Sequence, residues 1–156
     1  MIIPGVVAAP QHGTPAPACL AFPGDWEPHS TYSAVDGSGF TGESMKAGFH
    51  GVPLYGDEQI ITKAALSAAY EGAEIQVSFQ SVEGVSGSYT LVLRLDSGAM
   101  FASTTYSHPG GTGVQTVTLV DYIPAASMPD KIRIGIKCDS NTSSHVKITN
   151  VVLCPP

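Results

Sequence analysis

Few residues in this chain are of a type and spacing that could do chemistry. Hydrolysis of a glycoside needs two carboxylates facing each other across the bond. The acids here stand singly in turn-like contexts (Asp36, Asp57, Asp96, Asp130), and no E-x-D-x-x-E run occurs. Nucleophilic catalysis needs a Ser or Cys beside a placed His. The five histidines, His12, His29, His50, His108 and His145, fall in loops or at strand ends, and no G-x-S-x-G is present. No two His or Cys stand at zinc-ligand spacing. Asp139–Ser143 opens like a calcium loop but lacks the sixth-position glycine and the twelfth-position acid, so it reads as an Asx turn. These patterns predict a non-catalytic protein.

Binding chemistry is better represented. Sugar recognition combines aromatic stacking with amide and guanidinium hydrogen bonds. Gln76, Gln80, Thr90 and Arg94 fall at outward strand positions and could line one sheet face. Trp26, Tyr55 and Tyr106 could supply stacking from loops. The competing reading is that the polar set is ordinary solvent-facing strand and that Trp26 caps the core.

The elements that position these residues are strands. Glu74–Gln80 alternates, with Ile75, Val77 and Phe79 on one face, and Ser88–Leu95 repeats the pattern with Tyr89, Leu91, Leu93 and Leu95. Asp96-Ser97-Gly98 reads as a hairpin loop leading to a strand over 99–105. Further strands are expected over 42–47, 59–62, 114–120, 131–138 and 145–153. In the last, Val151 and Leu153 are out of phase with Val146 and Ile148, so a β-bulge is expected near Thr149–Asn150. Ala64–Tyr70 is the one helix-like stretch, a turn or two at most. The sum is an all-β chain: an antiparallel β-sandwich of about eight or nine strands.

The amino-terminal segment differs. Six of the twelve prolines lie in the first 28 positions and no ionic side chain precedes Asp25. Residues 1–28 are therefore expected to form an extended, apolar arm, and 29–156 the sandwich. Ile2, Ile3, Val6, Val7, Leu20 and Phe22 would dock that arm on neighbouring copies or other subunits.

The chain is one domain long, at 156 residues, with 13% charged residues and a net charge of −6. Its seven cations form no run, which argues against nucleic-acid binding. No apolar run spans a membrane, and the opening MIIPGVVAAPQHG lacks the basic start of an export signal. Of the three cysteines, Cys138 would face His145 in a simple hairpin. Buried free thiols are the favoured expectation, with a Cys19–Cys154 bridge as the alternative.

Gly42-Glu43-Ser44-Met45-Lys46, the stretch Tyr70–Phe79 and Val146–Leu153 resemble three strands of carbohydrate-binding-module-like (galactose-binding-like) jelly rolls. The resemblance covers roughly residues 30–154. It implies the same fold, a tentative glycan site, and a structural calcium held by Glu43 near Asn150, where such modules often carry an acid. No other cofactor is implied. Together with the apolar arm, the expectation is a virion structural protein, such as a tailed-phage head-decoration or tail component at the virion surface. The alternative is a stand-alone, extracellular carbohydrate-binding module.

Overall fold

The computed structural model describes residues 5, 15, 17–30, 34–43, 58–97, 100–119, 128–139 and 144–156. Ten strands are described: β1 (Trp26–Ser30), β2 (Ala34–Asp36), β3 (Gly39–Glu43), β4 (Glu58–Thr62), β5 (Ile75–Ser81), β6 (Gly87–Leu95), β7 (Met100–His108), β8 (Gln115–Leu119), β9 (Ile132–Cys138) and β10 (His145–Leu153). They form two antiparallel five-stranded sheets. Sheet A has the order β1-β4-β9-β6-β7 and sheet B the order β2-β3-β10-β5-β8. The expected jelly-roll sandwich is what the chain adopts.

Alternation builds the core. Ile75, Val77 and Phe79 from β5 and Val146, Ile148, Val151 and Leu153 from β10 meet Leu91, Leu93, Ile134 and Ile136 from sheet A. The helix-like stretch shrinks to a single 3-10 turn, Ala68–Tyr70, capped by the Ser67 hydroxyl. The predicted bulge is present: β10 shifts register between Ile148 and Asn150. Gly39 sits against it with φ of 136°, and a Cβ there would lie 1.9 Å from the Ile148 carbonyl oxygen. The bulge and the glycine are therefore one device.

Two segments differ from expectation. Trp26–Ser30 is a strand of sheet A, at its edge, where the missing N–H of Pro28 removes no ladder bond from a central strand. The described part of the arm is tied to its own sandwich. Cys19 and Cys154 form a disulfide, the Leu20 N–H donates to Leu153 O at 2.9 Å, and Phe22 meets Phe40 edge-on at 5.4 Å. Leu20 and Phe22, expected to dock on a neighbour, pack on their own core instead. Of the favoured free thiols only Cys138 remains, buried. Ile2, Ile3, Val6 and Val7 lie outside the described residues.

Candidate functional site

The residues expected to form one glycan face divide between the two sheets. Gln76 and Gln80 lie on β5, in sheet B; Thr90 and Arg94 lie on β6, in sheet A. Both pairs face away from the core, so they point to opposite sides of the sandwich. Tyr55 lies outside the described residues. Trp26 is 1% exposed and belongs to the core, so it caps the interior and offers no open ring for stacking. Tyr106 is on β7, not in a loop. It turns inward, its hydroxyl donating to Gln115 Oε1 at 2.5 Å and its ring lying edge-on to Phe79.

The calcium expectation also separates on the register. Glu43 pairs with His145, and Asn150 with Ser78. Five positions along β10 put the two about 16 Å apart, far beyond a shared ion. Among the described residues no three His, Cys, Asp or Glu side chains cluster as metal ligands. Asp139 does not merely turn the chain. Its carboxylate takes Lys137 Nζ at 2.9 Å, Thr90 Oγ1 at 2.8 Å and Ser88 Oγ at 3.1 Å. Burial alone would raise its pKa, but these donors outweigh it and hold the group below the usual range.

The outer side of sheet A is the more unusual face. Period-2 alternation sends Gln59 and Ile61 of β4, Arg133, Gly135 and Lys137 of β9, and Thr90, Val92 and Arg94 of β6 away from the core. The register aligns them in rows. Gln59, Gly135 and Val92 form one, Ile61, Arg133 and Arg94 the next, and Lys137 with Thr90 a third. Gly135, in the middle row, is buried. Solvent-facing positions should be open, yet Gln59 is 1% exposed, Val92 0%, Arg94 3% and Ile61 6%. Gln59 Oε1 has no hydrogen-bond partner among the described residues. A buried amide oxygen without a donor costs about 1–3 kcal/mol. Arg94 and Arg133 stand directly opposite each other. Asp96 anchors Arg133 through its Nε at 2.9 Å and a second, shorter contact from Nη2, and the guanidinium holds the Asp96 pKa down. Much of this face is thus shielded from solvent, with Arg133 and Lys137 part-open and held by Asp96 and Asp139.

Sheet B presents an open and ordinary outer face. Gln76, Ser78, Gln80, Thr116 and Thr118 line it, with Ser78 and Thr116 hydroxyls 2.9 Å apart. A depression of about 330 Å³ at its corner is lined by Glu74, Gln76, Val152 and Pro156 among others. At the other edge Lys147 bridges to Asp36, whose pKa falls to about 2 chiefly through the Ser38 hydroxyl and N–H, with Lys147 adding to it.

No protein-family model matches the sequence, and no curated protein matches it. Solved structures do match in shape. The xylan-binding module CBM15 superposes with a TM-score of 0.55 at 15% identity, over 86% of this chain and 94% of that one. A family 29 carbohydrate-binding module, CBM29-2 in a mutant form, superposes at 0.50 with 12% identity, over 86% and 85%. The fold is that of a carbohydrate-binding module. Xylanase10C from Cellvibrio japonicus, in its complex with xylopentaose, superposes at 0.53 with 14% identity over 87% of this chain. The chain spans only 26% of that xylanase's length. At these identities the shared property is the module fold itself. The residues that sequence reasoning missed, Gln59, Arg133, Gly135 and Lys137, carried a signal in the alternation of KIRIGIKC, whose polar positions are Arg133 and Lys137 with Gly135 between.

Proposed function

We propose that this chain is a non-catalytic carbohydrate-binding module that binds a neutral polysaccharide on the outer side of sheet A. The observation that carries the reading is the pair of part-open cations Arg133 and Lys137, fixed by Asp96 and Asp139 on one sheet face, on a fold shared with xylan-binding and related modules. A chain of sugars offers many hydroxyls, each both donor and acceptor, and no net charge. Such a ligand can accept from the part-open Arg133 guanidinium, which Asp96 already fixes in place. The ion-paired setting of Arg133 and Lys137 leaves the face nearly neutral, which suits a sugar better than a phosphate polymer. The Cys19–Cys154 disulfide fits an oxidising, extracellular setting.

The virion reading has weaker support. It rests on the composition of residues 1–28, and the disulfide, Leu20 and Phe22 bind the described part of that segment to its own domain. The carbohydrate-binding module is the better-supported function.

Affinity electrophoresis through gels containing xylan, a mixed-linkage glucan or a galactan tests the proposal. Retardation by at least one polymer is expected. Arg133→Ala should weaken it about tenfold or more, the loss of one charged hydrogen bond, with the thermal midpoint nearly unchanged. Free migration in all three gels, or equal retardation of the variant, overturns the proposal.

A further inference from the structure

A second concave site lies away from both sheet faces, at the end of the sandwich. A cleft of about 370 Å³ opens between the segment around Cys19 and the turn that follows β4. That size is at the low end of the range for small-molecule sites, roughly 300–1,000 Å³. One wall is Ala18, Cys19 and Leu20; the other runs from Thr62 to Tyr70, with Asp25 at the mouth.

The polar groups here are held in place with bonding capacity to spare. The Lys63 N–H donates to Asp25 O at 2.9 Å, and Lys63 Nζ donates to Gly24 O at 2.7 Å, leaving two ammonium hydrogens. Asp25 Oδ2 accepts the Ala21 N–H at 2.6 Å, leaving Oδ1. The buried Tyr70 hydroxyl donates to Ala18 O at 2.6 Å, and its oxygen can still accept. Ala64, Ala65 and Leu20 supply apolar surface between them. The disulfide pins one wall to β10 covalently, so little ordering is left for a ligand to impose.

We propose that this cleft is a second binding site, one that takes a single neutral sugar unit at the end of a saccharide. The class follows from the lining. The opposite charges of Asp25 and Lys63 offset each other, which disfavours an ion of either sign, while a carboxylate and an ammonium lining one cleft can each bind a sugar hydroxyl. The methyl groups suit the C–H face of a pyranose. The volume of about 370 Å³ accommodates a single ring such as the terminal unit of a saccharide. The class of ligand rests on the saccharide reading given above.

The test is an amide-resolved NMR titration of the full chain with xylose, glucose and galactose, beside affinity electrophoresis of the same samples in the three polysaccharide gels. At least one monosaccharide should shift the amides of Lys63, Ala64, Ala65 and Ser67. Ala65→Phe fills the cleft from an exposed position without removing a hydrogen bond and should abolish those shifts. Lys63→Met should weaken them about tenfold. No shift at these amides with any of the three sugars, or equal shifts in Ala65→Phe, overturns the proposal. Retention in any of the three polysaccharide gels with a silent cleft removes this site alone. A silent cleft with free migration in all three gels counts against both proposals. Cleft shifts with free migration in all three gels support this site and count against the face of sheet A.

Discussion

Removing the Cys19–Cys154 disulfide is the sharpest perturbation of this fold. The bridge joins residues 135 apart, so it closes nearly the whole chain into a loop. Under the chain-entropy treatment a loop of that length restricts the unfolded ensemble by about 5 kcal/mol at 25 °C. Native-state losses add little, because Leu20, Phe22 and the Leu20–Leu153 hydrogen bond can hold the segment in place without the bond. Domains of this kind have about 5–15 kcal/mol in total, so the loss is a large fraction. The variant is Cys19→Ser with Cys154→Ser, which leaves the buried thiol of Cys138 untouched. Equilibrium urea unfolding, followed by tryptophan fluorescence from the buried Trp26, reads it. The expected loss is about 2–5 kcal/mol, with a larger m-value because the uncrosslinked unfolded chain exposes more surface. A loss below about 1 kcal/mol with an unchanged m-value would falsify the entropic argument.

Gly39→Ala forces a Cβ onto the Ile148 carbonyl at a positive φ; it should cost at least about 1–3 kcal/mol in urea unfolding, and a smaller loss would show that the bulge can relax. Trp26→Ala should cost about 3–5 kcal/mol as a core deletion; if it lowers polysaccharide binding while stability holds, the ring is a platform after all. His108 is 2% exposed, its Nδ1 accepts the Gly110 N–H, and burial lowers its pKa below 6.5. The unfolded chain therefore takes up a proton that the folded chain resists, so stability is full above pH 6.5 and falls as pH drops below it. His108→Phe should flatten that slope below about pH 6.5, and an unchanged slope would assign it to other groups. At lower pH Glu83 adds a further loss. Burial alone would raise its pKa, but the His145 N–H and ring hold it lowered, and its protonation gives up those bonds.

Much of the fold was legible because alternation at period two is a strong signal. SYTLVLRL and EIQVSFQ gave their inward residues correctly, and the phase slip in HVKITNVVL located a real bulge. Less legible were the features that depend on distance along the chain. Cys19 and Cys154 are brought together by closure of the whole sandwich, which no local pattern encodes. Strand β1 hid behind Pro28, since a proline argues against a central strand but is compatible with the edge position this strand takes. Asp139 looked like a turn residue because its partners Ser88 and Thr90 come from a strand about fifty positions earlier.

The site was only half legible, for a reason that alternation itself supplies. Period two says that Gln76, Gln80, Thr90 and Arg94 all turn away from the core, but a sandwich has two such directions. Which one a strand takes depends on its sheet, and β5 and β6 are consecutive yet belong to different sheets. The outward residues of one cannot join those of the other. Shielding is the property that then separates the two faces. Gln76 on sheet B is exposed, as an ordinary surface amide should be. Gln59 and Arg94 on sheet A are nearly inaccessible, so a ligand at the surface does not touch them directly, whereas Arg133 and Lys137 keep part of their side chains open while Asp96 and Asp139 hold them in place. Half-open donors fixed by carboxylates are the groups a sugar's hydroxyls can use, which is why the saccharide face is assigned to sheet A and why Arg133→Ala is the residue change that tests it.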